Sequence, residues 1–92
     1  MRDTDYATES ITATLPLGDG TNEARIERIF VKEEGEWEIR FSWWKNGNIV
    51  PRPLDLNESD LLDLLRRGIT AGIFTREFRE QLRDALIASL AS

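Results

Sequence analysis

The residues best suited to metal binding stand between Asp55 and Asp60, just before a leucine-rich run. Asp55, Asn57 and Ser59 occupy alternate positions, as the first oxygen ligands of a calcium-binding loop do. The pattern then departs from such a loop, because its sixth place holds Asp60 instead of glycine and its twelfth holds Arg66 instead of glutamate. We therefore interpret the segment as a helix cap and turn, and we predict no metal site there.

Asp60 and Asp63 are a second candidate, because two carboxylates three residues apart share a helix face and could serve acid–base catalysis. No nucleophile or metal-ligating residue accompanies them, so a solvated helix face is the simpler interpretation. The chain has no histidine and no cysteine, which removes the usual general base at neutral pH and excludes thiolate chemistry and disulfides. No glycine-rich phosphate-binding motif occurs. We predict a non-enzymatic protein without cofactors.

Three arginines at helical spacing could contact phosphate or guanine: Arg76, Arg79 and Arg83. Three acidic residues are interleaved with them: Glu77, Glu80 and Asp84. These carboxylates would repel phosphate, and the whole chain is acidic, with 17 acidic and 12 basic residues and a formal charge of −5. A nucleic-acid-binding regulator that uses this arginine stripe is therefore the alternative hypothesis for function.

The elements that must position these residues are organised around residues 36–45. Apolar residues alternate there with polar ones: Trp37, Ile39, Phe41 and Trp43. An alternation of period two predicts a strand with one apolar face, which we call the inner face. Trp44 follows Trp43 directly and must project from the opposite, outer face. Either another part of the chain covers Trp44, or Trp44 anchors a protein interface, where tryptophan is enriched.

The pair Asn46-Gly47 predicts a two-residue type I′ hairpin turn after this strand, because both residues tolerate a positive φ. Trp44 then faces Ile49 on a returning strand at 48–51. That strand is short, because Pro51 cannot donate a hydrogen bond to a ladder.

The segment 24–33 is predicted as the preceding strand, with Gly35 in the turn. A three-residue loop leaves Phe30 and Ile26 on the outer face with Trp44 and Ile49. A two-residue loop buries Phe30 and Ile26 but exposes another pair: Ile29 and Val31. Neither register places every large apolar side chain on one face, so the outer face needs a cover or a partner.

Two helices are predicted after the strands. Asn57 caps the first, which ends near Ala71 with Gly72 as its left-handed residue, or earlier at Gly68. Thr75 caps the second, at 76–90. Its apolar residues recur every three or four positions and predict a face that packs on the sheet: Phe78, Leu82, Ala85, Leu86 and Leu90. The short connection predicts antiparallel packing of the two helices.

Residues 1–10 are polar and predict a loose N-terminal segment. Residues 11–17 alternate as a short strand, which Pro16 confines to an edge. No apolar stretch has the features of a signal peptide or the roughly 20 residues of a membrane span. We expect a soluble, cytoplasmic protein without membrane contact.

We predict an α+β fold with a single domain at 11–92. It consists of an antiparallel meander of three to four short strands, followed by an antiparallel two-helix hairpin on one sheet face. The predicted function is a protein–protein interaction or homodimerisation module, so the partner is a second copy or another protein. The predicted interface lies on the outer sheet face: Trp44, Ile49, Phe30 and Ile26.

Overall fold

A computed structural model describes residues 3–4 and 6–91. The predicted loose segment therefore lies in part outside the described residues, at Met1, Arg2 and Asp5. The elements are β1 (Ala7–Leu17), β2 (Asn22–Val31), β3 (Glu36–Lys45), β4 (Asn48–Val50), α1 (Glu58–Ala71) and α2 (Arg76–Leu90). The four strands form one antiparallel sheet in the order β1-β2-β3-β4, and two helices follow it. The predicted α+β fold class is confirmed.

β1 is longer than the predicted strand and lies at the edge of the sheet. It begins at Ala7 rather than Ile11, so residues 7–10 belong to the strand and not to the predicted loose segment. The Thr4 amide also donates to the Ala7 carbonyl oxygen at 2.9 Å. The pairing with β2 shifts at a bulge between Glu9 and Ile11. Because β1 is an edge strand, Pro16 is tolerated there.

The turn between β2 and β3 has four residues, so neither predicted register is observed, although Phe30 and Ile26 lie on the inner face as the two-residue alternative predicts. Val31 pairs with Glu36, and the Gly35 amide donates to the Val31 carbonyl oxygen at 2.8 Å. Gly35 adopts the predicted left-handed conformation, with φ 68°. Lys32 leaves the β2–β3 ladder and instead donates its amide to the Tyr6 carbonyl oxygen at 3.0 Å. A contact with the N-terminal segment thus accompanies the longer turn.

The turn between β3 and β4 agrees with the sequence prediction. Asn46 and Gly47 both have positive φ, 50° and 79°, as a type I′ turn requires. The predicted register is also confirmed, since Trp44 pairs with Ile49.

α1 packs across the inner face, over β1 and β2. Gly68 allows the close approach, because a Cβ atom there would stand only 3.2 Å from Ile26 Cγ2. The buried core of this face combines both strands with the helical segment: Ala13, Leu15, Ala24, Ile26, Leu64 and Ile73. The helix begins at the predicted cap, where Asn57 Oδ1 accepts the Asp60 amide at 2.7 Å. It continues through Gly68 and ends at Gly72, which is left-handed.

The sheet curls around its outer face. β1 and β4 lie at opposite edges of the sheet, yet Ala7 of one strand and Ile49 of the other line a single hollow of about 260 Å³. Beneath this curl Ala7, Ile29 and Val31 form a second buried cluster. The chain itself thus covers much of the apolar surface that the sequence predicts on the outer face.

α2 begins at its predicted cap, where Thr75 Oγ1 accepts the Phe78 amide at 3.2 Å. The Phe78 ring stacks on Phe74, with 5.0 Å between ring centroids. Even so, α2 contains no buried residue. Its Cα atoms stay farther than 8 Å from those of α1 and of the strands in the described part of the chain. The expectation that the apolar face of α2 is buried on the sheet is wrong, because α1 alone approaches the strands closely.

Candidate interaction surfaces

The predicted interface around Trp44 is not an exposed surface. Trp44 lies on the outer face as predicted but exposes only 5% of its surface. The Arg25 guanidinium lies over the indole, with its central carbon 3.8 Å from the ring centroid. The indole Nε1 donates to Ser42 Oγ at 2.9 Å. Of the two interpretations of Trp44, the one in which the chain itself covers the side chain is correct.

Of the other predicted interface residues, Ile49 shares the outer face with Trp44, whereas Phe30 and Ile26 do not. Ile49 lies beside Trp44 and is exposed. Phe30 and Ile26 instead pair with inner-face residues of β3, and Ile26 is fully buried. The error follows from the turn length, because a register slip of one residue moves every side chain of a strand to the opposite face.

A buried polar network occupies the centre of the outer face. Glu27 has no exposed surface, and its Oε1 and Oε2 accept hydrogen bonds from Arg40 Nε and Nη2 at 3.0 and 2.9 Å. Ser42 Oγ also donates to Glu27 Oε1. Arg40 Nη2 makes a further bond of 2.7 Å to Glu9 Oε1. Each oxygen of the Glu27 carboxylate therefore has a partner within the chain.

The network determines the protonation of Glu27. Burial opposes ionisation of this carboxyl group, but the hydrogen bonds from Arg40 and Ser42 and the positive charge of Arg40 outweigh burial and hold the pKa of Glu27 below its ordinary value. In return, the hydrogen bonds to Glu27 raise the pKa of Arg40. The sequence analysis missed this network, because Glu27 and Arg40 have the spacing of ordinary solvent-facing residues and become neighbours only in the observed register.

β3 carries the most exposed aromatic side chains of the sheet. Trp37 and Phe41 lie on the inner face and expose 50% and 45% of their surfaces. Trp37 meets Phe30 edge to face, with ring centroids 5.3 Å apart. β4 pairs only with residues 43–45 of β3, so within the described residues 36–42 have a strand neighbour on one side alone.

Acidic side chains lie close together at the start of β3, next to the β2–β3 turn. The carboxylate oxygens of Glu34, Glu36 and Glu38 come within 4.8 Å of one another. A hydrogen bond with Glu34, assisted by partial desolvation and by the negative charges of Glu34 and Glu36, raises the pKa of Glu38. The three groups form a solvated acidic patch whose negative charges repel one another.

α2 presents a second apolar surface, which we call the α2 stripe. It consists of the residues predicted to face the sheet: Phe78, Leu82, Ala85, Leu86 and Leu90. Phe78, Leu86 and Leu90 expose 47%, 54% and 85% of their surfaces, and Leu82 is partly buried. An amphipathic helix with an exposed apolar side matches the form in which helices dock into grooves of other proteins.

The arginine stripe adjoins the α2 stripe, because Arg79 and Arg83 stand seven residues before Leu86 and Leu90 and therefore lie near them around the helix axis. Arg76, Arg79 and Arg83 line one shallow hollow of about 290 Å³ together with Glu80. Arg76 forms an ion pair with Glu80 at 3.3 Å, and Arg83 forms one with Asp84 at 3.0 Å. The structure thus brings the three predicted arginines together but also places carboxylates among them.

The predicted helix-start residues serve as cap and surface groups. Asn57 caps α1, and Asp63 pairs with Arg67 at 3.2 Å on the helix surface. None of the helices in the described residues has the length and apolar character that crossing a lipid bilayer would require. Comparisons of the chain with protein-family models, curated proteins and solved structures give no match.

Proposed function

We propose that this chain is a non-enzymatic, cytoplasmic protein-interaction module that binds another protein through the α2 stripe. The supporting observation is the exposure of Phe78, Leu86 and Leu90 on a helix without any buried residue. Contiguous exposed apolar surface on a small protein marks interaction sites. A partner with an apolar groove would bury this stripe by accepting the helix.

The polar residues support a non-enzymatic role. Every Glu27 carboxylate oxygen is already hydrogen bonded to Arg40 or Ser42, which leaves this buried acid no obvious means of acting on a substrate. Asp63 is paired with Arg67 on the surface of α1. These arrangements stabilise the fold and its surface, and they do not resemble an acid–base pair that faces a substrate cleft.

Capture of proteins from a cell extract by the immobilised chain tests the proposal. Leu86→Glu places a charge in the α2 stripe, whereas Ile87→Glu makes the same change about 100° further around the helix. Ile87 is equally solvent-accessible, with 59% of its surface exposed against 54% for Leu86. A partner retained by the wild type and by Ile87→Glu but lost with Leu86→Glu would support the proposal. The same set of proteins retained by all three would contradict it.

A second candidate function is nucleic-acid binding by the arginine stripe. The observation in its favour is the grouping of Arg76, Arg79 and Arg83 around one hollow. It predicts binding to duplex DNA that weakens with salt and falls when Arg79 and Arg83 become alanine. A labelled duplex whose fluorescence anisotropy does not change at low salt would remove this candidate.

A further inference from the structure

We infer that the chain forms a two-fold dimer by pairing the open edge of β3 with the same edge of a second copy, with Ile39 on the two-fold axis. This inference goes beyond the α2 proposal, since it concerns another surface and another partner, and either can fail alone. Its basis is the self-complementary arrangement of residues 36–42.

The backbone of β3 presents its hydrogen-bonding groups to the open edge at alternate residues. Lys45 and Asn48 flank a two-residue turn, so they form a hydrogen-bonded pair and Lys45 directs its N–H and C=O towards β4. The alternation then directs the same groups of Trp37, Ile39 and Phe41 towards the side that β4 leaves open. These three residues offer six backbone groups to a second strand.

An antiparallel two-fold pair centred on Ile39 uses this whole edge. Ile39 faces Ile39 of the second copy, and Trp37 faces Phe41 of the second copy on both sides of the axis. The half-exposed aromatic rings of Trp37 and Phe41 would thus pair across the junction, as aromatic residues do on facing strands. Isologous contacts of this kind are typical of two-fold dimers.

The charges on the outer face select this register over its neighbours. With the axis at Ile39, Glu38 faces Arg40 of the second copy in a non-hydrogen-bonded pair, where side chains come closest. A shift of the axis to residue 38 would oppose Glu38 to Glu38. A shift to residue 40 would oppose Arg40 to Arg40. Like charges directly opposite destabilise a sheet. Among these three registers, the Ile39 register alone pairs opposite charges without placing like charges face to face.

The surrounding residues prepare both members of the charge pair. Glu27 and Glu9 hold Arg40 Nε and Nη2 at 2.7–3.0 Å, so the guanidinium has a fixed position directed towards β2 and β1. Nη1 takes part in none of these bonds and is the group that would meet Glu38 of a second copy. Glu38 is crowded by Glu34 and Glu36, and a positive charge from a second copy would relieve their repulsion. A second copy of this chain therefore fits the edge in backbone, aromatic surface and charge.

Light scattering after size exclusion, over a range of protein concentrations, measures the mass directly. We expect the mass to rise with concentration from 10.6 kDa towards twice that value. Glu38→Arg should raise the dissociation constant about tenfold, because the change turns an attraction into a repulsion twice per dimer. Glu36→Arg makes the same charge change in the acidic patch and should leave the constant within about twofold, since no arginine faces it.

Cysteine cross-linking tests the position of the two-fold axis. A single introduced cysteine is specific, because the chain has no cysteine of its own. Cα atoms in a hydrogen-bonded pair lie roughly 5.5 Å apart, within the span that a disulfide bridges. Ile39→Cys should give a disulfide-linked dimer under mild oxidation, and Ile49→Cys, on exposed β4, should not. Circular dichroism of each variant verifies that it is folded.

Three outcomes would overturn the inference. The first is a wild-type chain of monomer mass at every concentration. The second is equal weakening by Glu38→Arg and Glu36→Arg, and the third is cross-linking of Ile39→Cys no faster than that of Ile49→Cys. Leu86→Glu separates the two proposals. We expect this variant to remain dimeric while it loses an α2 partner. If the dimer dissociates on this change, the dimer interface is formed by α2 instead.

Discussion

Glu27 and Arg40 face each other across β2 and β3 and are joined by two hydrogen bonds of 3.0 and 2.9 Å, although Glu27 has no exposed surface. A buried carboxylate is tolerated only when it is paired and hydrogen bonded. Ser42 supplies a further donor to Glu27 and also accepts the indole N–H of Trp44. The network therefore ties the burial of Trp44 to the charge pair.

The first prediction concerns loss of the Arg40 guanidinium. Arg40→Ala leaves the Glu27 charge buried without its main partner, and we expect the free energy of unfolding to fall by about 3–5 kcal/mol. Urea titration followed by tryptophan fluorescence measures this change. Arg83→Ala is the control, because Arg83 lies in an exposed ion pair and its loss should change stability by less than about 0.5 kcal/mol. Equal effects of the two changes would contradict the structural role of the network.

The second prediction concerns pH. The pKa of Glu27 is lower in the folded chain than its ordinary value of 4.5. Ionised Glu27 therefore stabilises the fold above about pH 4.5, and this contribution is lost as the pH falls through the lower folded-state pKa. We expect Glu27→Gln to flatten the decline of stability in that acidic range. Urea midpoints of the wild type and the variant between neutral and acidic pH measure the difference. Parallel curves would show that other carboxylates dominate.

The sequence predicted the elements whose signals are local. β3, the Asn46-Gly47 turn and the caps at Asn57 and Thr75 each depend on residues a few positions apart. The positive φ angles and the cap hydrogen bonds agree with those local preferences. Gly72 ends α1 for the same reason, since a left-handed residue at the C-terminus favours glycine.

The sequence did not predict the features that depend on contacts between residues distant along the chain. The β2–β3 register accompanies a bond between the Lys32 amide and the Tyr6 carbonyl oxygen, which no pattern within the hairpin indicates. Glu27 has the spacing of a solvent-facing residue, and its burial requires the curl of the sheet. The periodicity of α2 correctly indicated an amphipathic helix, but periodicity does not identify what covers the apolar side.

The third prediction concerns Trp44. Because the indole is buried and hydrogen bonded to Ser42, Trp44→Ala should lower the free energy of unfolding by about 3–5 kcal/mol. Trp37→Ala is the matched control on the same strand, since Trp37 is half exposed and its loss should cost clearly less. Thermal or urea unfolding monitored by circular dichroism compares the two. A Trp44→Ala variant as stable as the wild type would contradict the burial of this side chain.

The fourth prediction distinguishes the two helices. Leu64 of α1 is fully buried on the inner face, whereas Leu86 of α2 exposes more than half of its surface. Leu64→Ala should therefore cost about 2–5 kcal/mol of unfolding free energy through loss of packing and creation of a cavity. Leu86→Ala should change the stability by less than about 0.5 kcal/mol in dilute solution. Urea unfolding of both variants at low protein concentration measures the contrast. A large cost for Leu86→Ala would mean that α2 packs on the rest of the chain, and the α2 stripe would then not be available to a partner protein.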